Sequence, residues 1–260
     1  MGCELTAAPR PMLTCGRIGD NGQWTMRDQD VRRAVRRRLD AKYGPDPDAR
    51  IVEEMGIWSG SVRIDLAVIN GELCGYELKS DRDTLQRLPF QAELYSKVFD
   101  RVELIIASRH AEHATKLVPD WWRITIARMK GDEVALSTVP GRLGRRNRSI
   151  DPLVVAQLLW KNEALAILEA HGAVRGYRSK RIGLIHKRVA EVLNGEELRR
   201  EVRRSLKERP ANWLRQQVPD KFEVPIDADL DPVLQPLWGC SIGNSVDLCI
   251  SPTIGERSSS

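Results

Sequence analysis

Asp65 and the run Glu77-Leu78-Lys79 are the residues in this chain whose types and spacing suit chemistry. Two acids and a lysine at neighbouring positions of paired strands would make a cation site beside a fixed positive charge. On a strand, alternate residues share a face, so Glu77 and Lys79 point together and Leu78 points away. Asp65 shares a face with Arg63 and Ala67, and a hairpin sets it beside Glu77. Two carboxylates a few ångströms apart repel unless a proton or cation lies between them. Hard oxygen donors with open positions suit Mg²⁺ or Mn²⁺. Such a cation would polarise a phosphodiester and acidify a water. Lys79 would hold that water or stabilise charge on the phosphate oxygens. Beside two carboxylates it should stay an ammonium. The expected reaction is phosphodiester hydrolysis.

The elements that must position these groups follow from pattern. Val62–Ile69 reads as a strand, apolar except at Arg63 and Asp65, and Leu73–Lys79 as its partner across a tight Asn70-Gly71 turn. A carboxylate inside an apolar strand is costly unless something compensates it. Ile51–Ile57 precedes them, with Glu53 and Glu54 adjacent and so expected on opposite faces. A helix over 29–43 is predicted from the stripe Val31, Ala34, Val35 and Leu39, with Asp28 as its cap. A helical region over 83–99, interrupted near Pro89, carries Gln91 and Tyr95 four residues apart on one face. These two are placed to contact a water, a metal ligand or a phosphate. Strands at 102–107, 122–127 and 134–139, with a short helix at 111–118, complete a mixed sheet with helices on its faces, an α/β class.

Beyond a basic linker at 141–149 the pattern is all-helical, with helices at 152–170, 179–193 and 196–208. The expected organisation is a flexible leader at 1–26, a core at 27–140, a helical extension at 150–215 and an irregular tail at 216–260. The leucines of 152–170 leave room for a protein partner on 150–215.

Together the residues Glu54, Arg63 to Val68, Glu77 to Asp81, Gln91 and Tyr95 resemble the PD-(D/E)XK nuclease superfamily. The resemblance covers about residues 28–128 and is nearest to a set of bacterial and phage predicted nucleases with little assigned biology. It implies a restriction-endonuclease-like fold, with Asp65 and Glu77 as metal ligands and Lys79 as the catalytic lysine. It further implies Glu54 as the upstream acid and third ligand, and Gln91 and Tyr95 as the Gln-x-x-x-Tyr element of exonuclease-like branches. One departure is that Glu54 falls on a strand, where many members carry this acid on the first helix. The implied activity is that of a Mg²⁺- or Mn²⁺-dependent deoxyribonuclease in DNA repair or phage defence, with RNA also open as substrate. The alternative is a nucleic-acid-binding module that keeps the fold and acts with a partner.

Composition bounds the rest. The chain has 260 residues, 30% of them charged, with 41 basic against 36 acidic side chains and a net charge of +5. Mean hydropathy is −0.38, and no apolar run approaches the roughly 18 residues of a membrane span. The first residues lack the cationic start and apolar core of a signal peptide. The five cysteines are widely spaced without a CxxC pair, which argues against a zinc ribbon or a disulfide framework and fits a reducing cytoplasm. Arginines cluster along the chain. Arg33, Arg36 and Arg37, with Arg145 and Arg146, are the candidates for phosphate-backbone contact. The segment His110-x-x-His113 has no third ligand near it and reads as an exposed turn. No P-loop is present, so no ATP use is expected.

Overall fold

The structure is a computed structural model that describes residues 17–18, 24–57, 60 and 62–214. Its centre is a six-stranded mixed sheet in sequential order. The strands are β3 (Arg50–Ile57), β4 (Val62–Ile69), β5 (Leu73–Lys79), β6 (Arg101–Ala107), β7 (Arg123–Lys130) and β8 (Glu133–Leu143). The first three pair antiparallel, β5–β6 and β6–β7 are parallel, and β8 returns antiparallel. The parallel pairs need crossovers, and α2 (Leu88–Val98) and α3 (Ala111–Leu117) supply them.

Helices cover both faces. α1 (Asp28–Tyr43) lays Val31, Val35 and Leu39 on Leu66, Val68, Tyr76, Leu78 and Ile105. On the other face Leu88, Ala92, Tyr95 and Val98 of α2 join Ala67, Ile69, Leu104 and Ile106. The chain is therefore an α/β protein. The helical extension shares that second core. Val155 of α4 (Pro152–Ala156), Leu168 of α5 (Lys161–Ala170), Val189 of α6 (Ile182–Val192) and Val202 of α7 (Gly195–Glu208) belong to the same apolar cluster as the sheet. Among the described residues no helix is long and apolar enough to cross a membrane.

Several local expectations are corrected. Asp28 lies inside the first turn of α1, and the free backbone N–H of Arg27 is met instead by the Asp30 carboxylate at 3.1 Å. The β4–β5 connection has three residues, because Ile69 pairs with Leu73. Asn70 Oδ1 accepts from Glu72 N within it. The single helix expected over 152–170 is two. The Leu158 and Leu159 carbonyls face Arg209 Nη2 at 2.6 Å and the His186 ring at 3.0 Å, and Glu163 accepts from Trp160 N to start α5. Within the stretch expected to be a leader, β1 (Arg17–Ile18) pairs with β2 (Trp24–Thr25), and Met26 is buried. The remainder of 1–26, and the expected tail from 216, lie outside the described residues.

Candidate active site

The β4–β5 ladder runs from Ile69↔Leu73 to Leu66↔Tyr76. Continued one step, it sets Asp65 opposite Glu77. At that step the backbone pairing stops, and the Asp65 carboxylate takes over as acceptor, its Oδ2 receiving Leu78 N at 2.7 Å. The carboxylate is thus pinned in the gap between the strands.

Glu77 points to the α2 side of β5, as alternation predicts, and is 2% exposed. Its Oε1 receives Lys79 Nζ at 2.5 Å and Gln91 Nε2 at 2.8 Å. Its Oε2 lies 2.9 Å from the Tyr95 hydroxyl, which is also 2.8 Å from the Arg63 carbonyl. One hydroxyl proton cannot serve both oxygens. A protonated Glu77 donating to Tyr95, with Tyr95 donating to Arg63, satisfies the whole chain. Burial first, and then the nearby Asp65, push the Glu77 carboxyl up to about 7 despite Lys79. Burial likewise raises Asp65, against the opposing pull of the Leu78 N–H and Arg32. Packing fixes Tyr95 further, since its ring stacks on buried Trp122 at 6.1 Å and meets Phe99 edge-on at 5.8 Å. Gln91 Oε1 is buried without a hydrogen-bond partner.

Asp65, Glu77, Lys79, Gln91 and Tyr95 therefore converge. Glu54 does not join them directly. Its Oε1 lies 2.9 Å from Arg32 Nη2, which is also 2.9 Å from Asp65 Oδ1. Arg32 further donates to the Asp65 carbonyl at 3.2 Å and to Asp28 Oδ2 at 3.2 Å. Sequence reasoning missed this hub, although the Asp28–Arg32 spacing of four on a helix was a visible signal. Glu53 also reaches α1, at Arg36, so the two glutamates do not face opposite ways. The cause is Glu54 itself, whose φ of 53° is left-handed. It breaks the alternation so that Val52 and Met55 share one core, as Ile64 and Ala67 do opposite them. Such a conformation costs roughly 1–3 kcal/mol and persists where the surroundings hold it.

Asp65 and Glu77 both hold carboxylates at raised pKa, which is the electrostatic condition a cation relieves. Among the described residues no group of three or more His, Cys, Asp or Glu side chains is arranged to hold a metal ion. The oxygen donors gathered here are two carboxylates, and Mg²⁺ is commonly bound through one or two carboxylates with water completing its shell. Glu54, expected as a third ligand, shares the Arg32 guanidinium with Asp65.

The arginines expected to meet nucleic acid are mostly engaged. Arg36 pairs with Asp40 and Glu53, Arg37 with Glu133, Arg145 with Asp120, and Arg146 with Glu72, Asp100 and Glu196. Arg33 is exposed.

Comparison with known proteins gives the following. The family profile described as bacteriophage P4 protein cII matches residues 23–218. Protein cII of Enterobacteria phage P4 is 29% identical over 147 residues, 56% of this chain and 54% of that protein. The chain thus spans about half the length of this curated relative. A Silicibacter pomeroyi protein of unknown function is similar at 20% identity, over 59% of this chain and 94% of that one, with a TM-score of 0.35. Pyrococcus furiosus SfsA, in complex with Ca²⁺, is similar at 14% identity, over 50% and 70%, with a TM-score of 0.30.

Proposed function

This chain belongs to the bacteriophage P4 protein cII family, and we propose that it is a metal-dependent deoxyribonuclease of the PD-(D/E)XK type. The observation that carries the reading is Asp65 beside Glu77 and Lys79, with both carboxylates raised and all three groups fixed by protein contacts.

Asp65 Oδ1 and the Glu77 carboxylate would hold Mg²⁺ or Mn²⁺, which when bound supplies Lewis acidity to the phosphate and lowers the pKa of a water. Lys79 brings a positive charge to the same point and neutralises charge that builds on the phosphate oxygens. Gln91, donating to Oε1, and the Tyr95 hydroxyl, hydrogen-bonded to Oε2, orient Glu77. The Gln91 Oε1, buried and without a hydrogen-bond partner, is left as a free acceptor beside Glu77. Buried Trp122, stacked on Tyr95, holds that ring in place.

The test is cleavage of end-labelled single-stranded, duplex and branched DNA with Mg²⁺, Mn²⁺ or EDTA. Wild type is compared with Lys79→Ala and Asp65→Ala. Metal-dependent cleavage lost in both variants supports the reading, and hydrolysis unchanged in EDTA sinks it.

One observation favours a second reading. Every carboxylate of the site already has a cationic protein partner, Arg32 for Asp65 and Glu54, and Lys79 for Glu77. That arrangement also suits a nucleic-acid-binding module with a nuclease-like fold that acts with a protein partner. It calls for DNA binding that survives Lys79→Ala, with no cleavage under any metal.

A further inference from the structure

α7 has two faces. Leu198, Val202 and Leu206 recur every four residues and are buried in the core. Arg200, Arg203, Arg204 and Lys207 recur at i, i+3, i+4 and i+7, so they form one stripe. The stripe runs about 10 Å along the helix, at 1.5 Å per residue. It forms one wall of a cleft of about 640 Å³, whose other wall is the segment Pro47–Arg50 and the Asn70-Gly71 corner of the β4–β5 loop. Five basic side chains line this cleft against two acidic ones, Asp48 and Glu208.

The acids nearby do not hold these cations tightly as a set. Arg204 meets Glu201 at 2.5 Å and Lys207 meets Asp48 at 2.5 Å, but both are surface pairs. Exposed pairs of this kind contribute only about 0–1 kcal/mol and yield to a better anion. Arg200 is 61% exposed, and its acids, Glu197 and Glu201, stand at 3.8 and 3.9 Å. Arg203 is 8% exposed, and its Nη1 is buried without a hydrogen-bond partner. Its acids are Glu196 at 3.3 Å and Asp100 at 3.7 Å. Across the cleft Arg50 donates to the carbonyls of Leu206, Lys207, Arg209 and Pro210, which locks its guanidinium against the end of α7.

We propose that this cleft is a second binding site, separate from the carboxylate site, and that it takes the phosphodiester backbone of a nucleic acid. The guanidiniums of Arg200 and Arg204 with the Lys207 ammonium extend past one phosphate, which suits a run of phosphates, and the two planar forks match phosphate oxygens in pairs. The choice of nucleic acid over another polyanion rests on the nuclease reading. The existence of the anion site rests on the stripe and the cleft alone.

The test is fluorescence anisotropy with a labelled 20-nucleotide single strand and its duplex, in EDTA so that nothing is cut, between 50 and 200 mM salt (about the range over which phosphate contacts are lost). Wild type is compared with a variant carrying Arg200→Gln, Arg204→Gln and Lys207→Gln. The expected result is a loss of about tenfold or more in affinity. The slope of log K against log salt should also be shallower by about 2 to 3 for the duplex, near 0.9 per lost contact. Equal affinity and slope in the two proteins overturn the proposal. Arg200→Gln alone changes one exposed side chain and should remove about one contact from the slope, so a misfolded triple variant leaves the proposal testable. Binding of poly-glutamate as strong as that of DNA, lost in the same variant, overturns the nucleic-acid assignment. Cleft-dependent DNA binding in a protein that cuts nothing with any metal keeps the cleft and removes the nuclease.

Discussion

Replacing Arg32 should strengthen, not weaken, the binding of a divalent cation. The guanidinium lies 2.9 Å from Asp65 Oδ1, and both side chains are 21% exposed. Two unit charges about 4 Å apart attract by roughly 1 kcal/mol in bulk water and 4 kcal/mol at an effective dielectric of 20. This pair is mostly but not fully shielded from solvent, so its attraction falls inside that range. A cation that takes Asp65 Oδ1 must offset that attraction, and each 1.4 kcal/mol is about a factor of ten. Arg32→Met keeps the aliphatic stem and removes the charge, leaving Asp28, Glu54 and Asp65 to repel one another. Two effects are expected at pH 7.5. Mn²⁺ should bind tenfold or more tightly, read as loss of the free-ion signal in electron paramagnetic resonance. The metal-free protein should melt earlier, and saturating Mn²⁺ should restore it. Arg32→Lys keeps a charge without the fork that bridges two carboxylates, and should fall between the two. A folded Arg32→Met protein that binds Mn²⁺ no better than wild type would refute the reasoning. So would weaker binding, which would make the guanidinium an organiser of the cation site. Absence of Mn²⁺ binding in every form would instead remove the metal from the proposed function.

The other predictions concern stability. The Glu77 carboxyl is raised in the fold to about 7, above its ordinary 4.5, so its contribution is complete below about pH 4.5 and is lost as pH rises through 7. Urea unfolding should show that decline between pH 5 and 8, and Glu77→Gln should flatten it. A wild-type stability that rises over this window would contradict the assignment. Arg209→Ala should destabilise by about 3–5 kcal/mol, because it leaves Glu163 without the partner held at 2.6 Å and empties the space between Trp160 and Trp213. A thermal midpoint within a degree or two of wild type would show the clamp to be idle. Tyr95→Phe removes the hydroxyl between Glu77 and Arg63 but keeps the ring stack, and should cost about 1–3 kcal/mol in chemical denaturation. Gly144→Ala should destabilise on two counts, a φ of +83° and a Cβ placed 2.9 Å from that of Arg123. Unchanged denaturation midpoints in these last two would mean that the surroundings relax freely.

Much of this site was legible because it depends on short-range rules. Period-2 alternation put Glu77 and Lys79 on one face, and the helix spacing of four put Gln91 and Tyr95 together. The apolar stretch around Asp65 marked that acid as one needing a partner. The limits of β4 and β5 were readable because their apolar runs end at turn residues. What was not legible depends on partners distant in sequence. The run 152–170 reads as one helix because nothing local interrupts it. The interruption comes from Arg209 and His186, side chains 51 and 27 residues away, which claim the Leu158 and Leu159 carbonyls.

The misjudgement of Glu53 and Glu54 is the most instructive, because the rule that failed there is the rule that worked at Glu77. Alternation holds only while each residue keeps extended backbone, and Glu54 leaves it at φ 53°. The pairing of β3 with β4 skips that step on both strands, passing from Glu53↔Leu66 to Met55↔Ile64. Glu54 and Asp65 are the two residues released. Both carry carboxylates, and both turn to the same guanidinium on α1. A strained, non-glycine residue opposite a partly buried acid is a costly arrangement in a sheet, and here it gathers charge at one point. The irregular step in the ladder is therefore part of the site, because it delivers Asp65 to the gap where Glu77 and Lys79 also arrive.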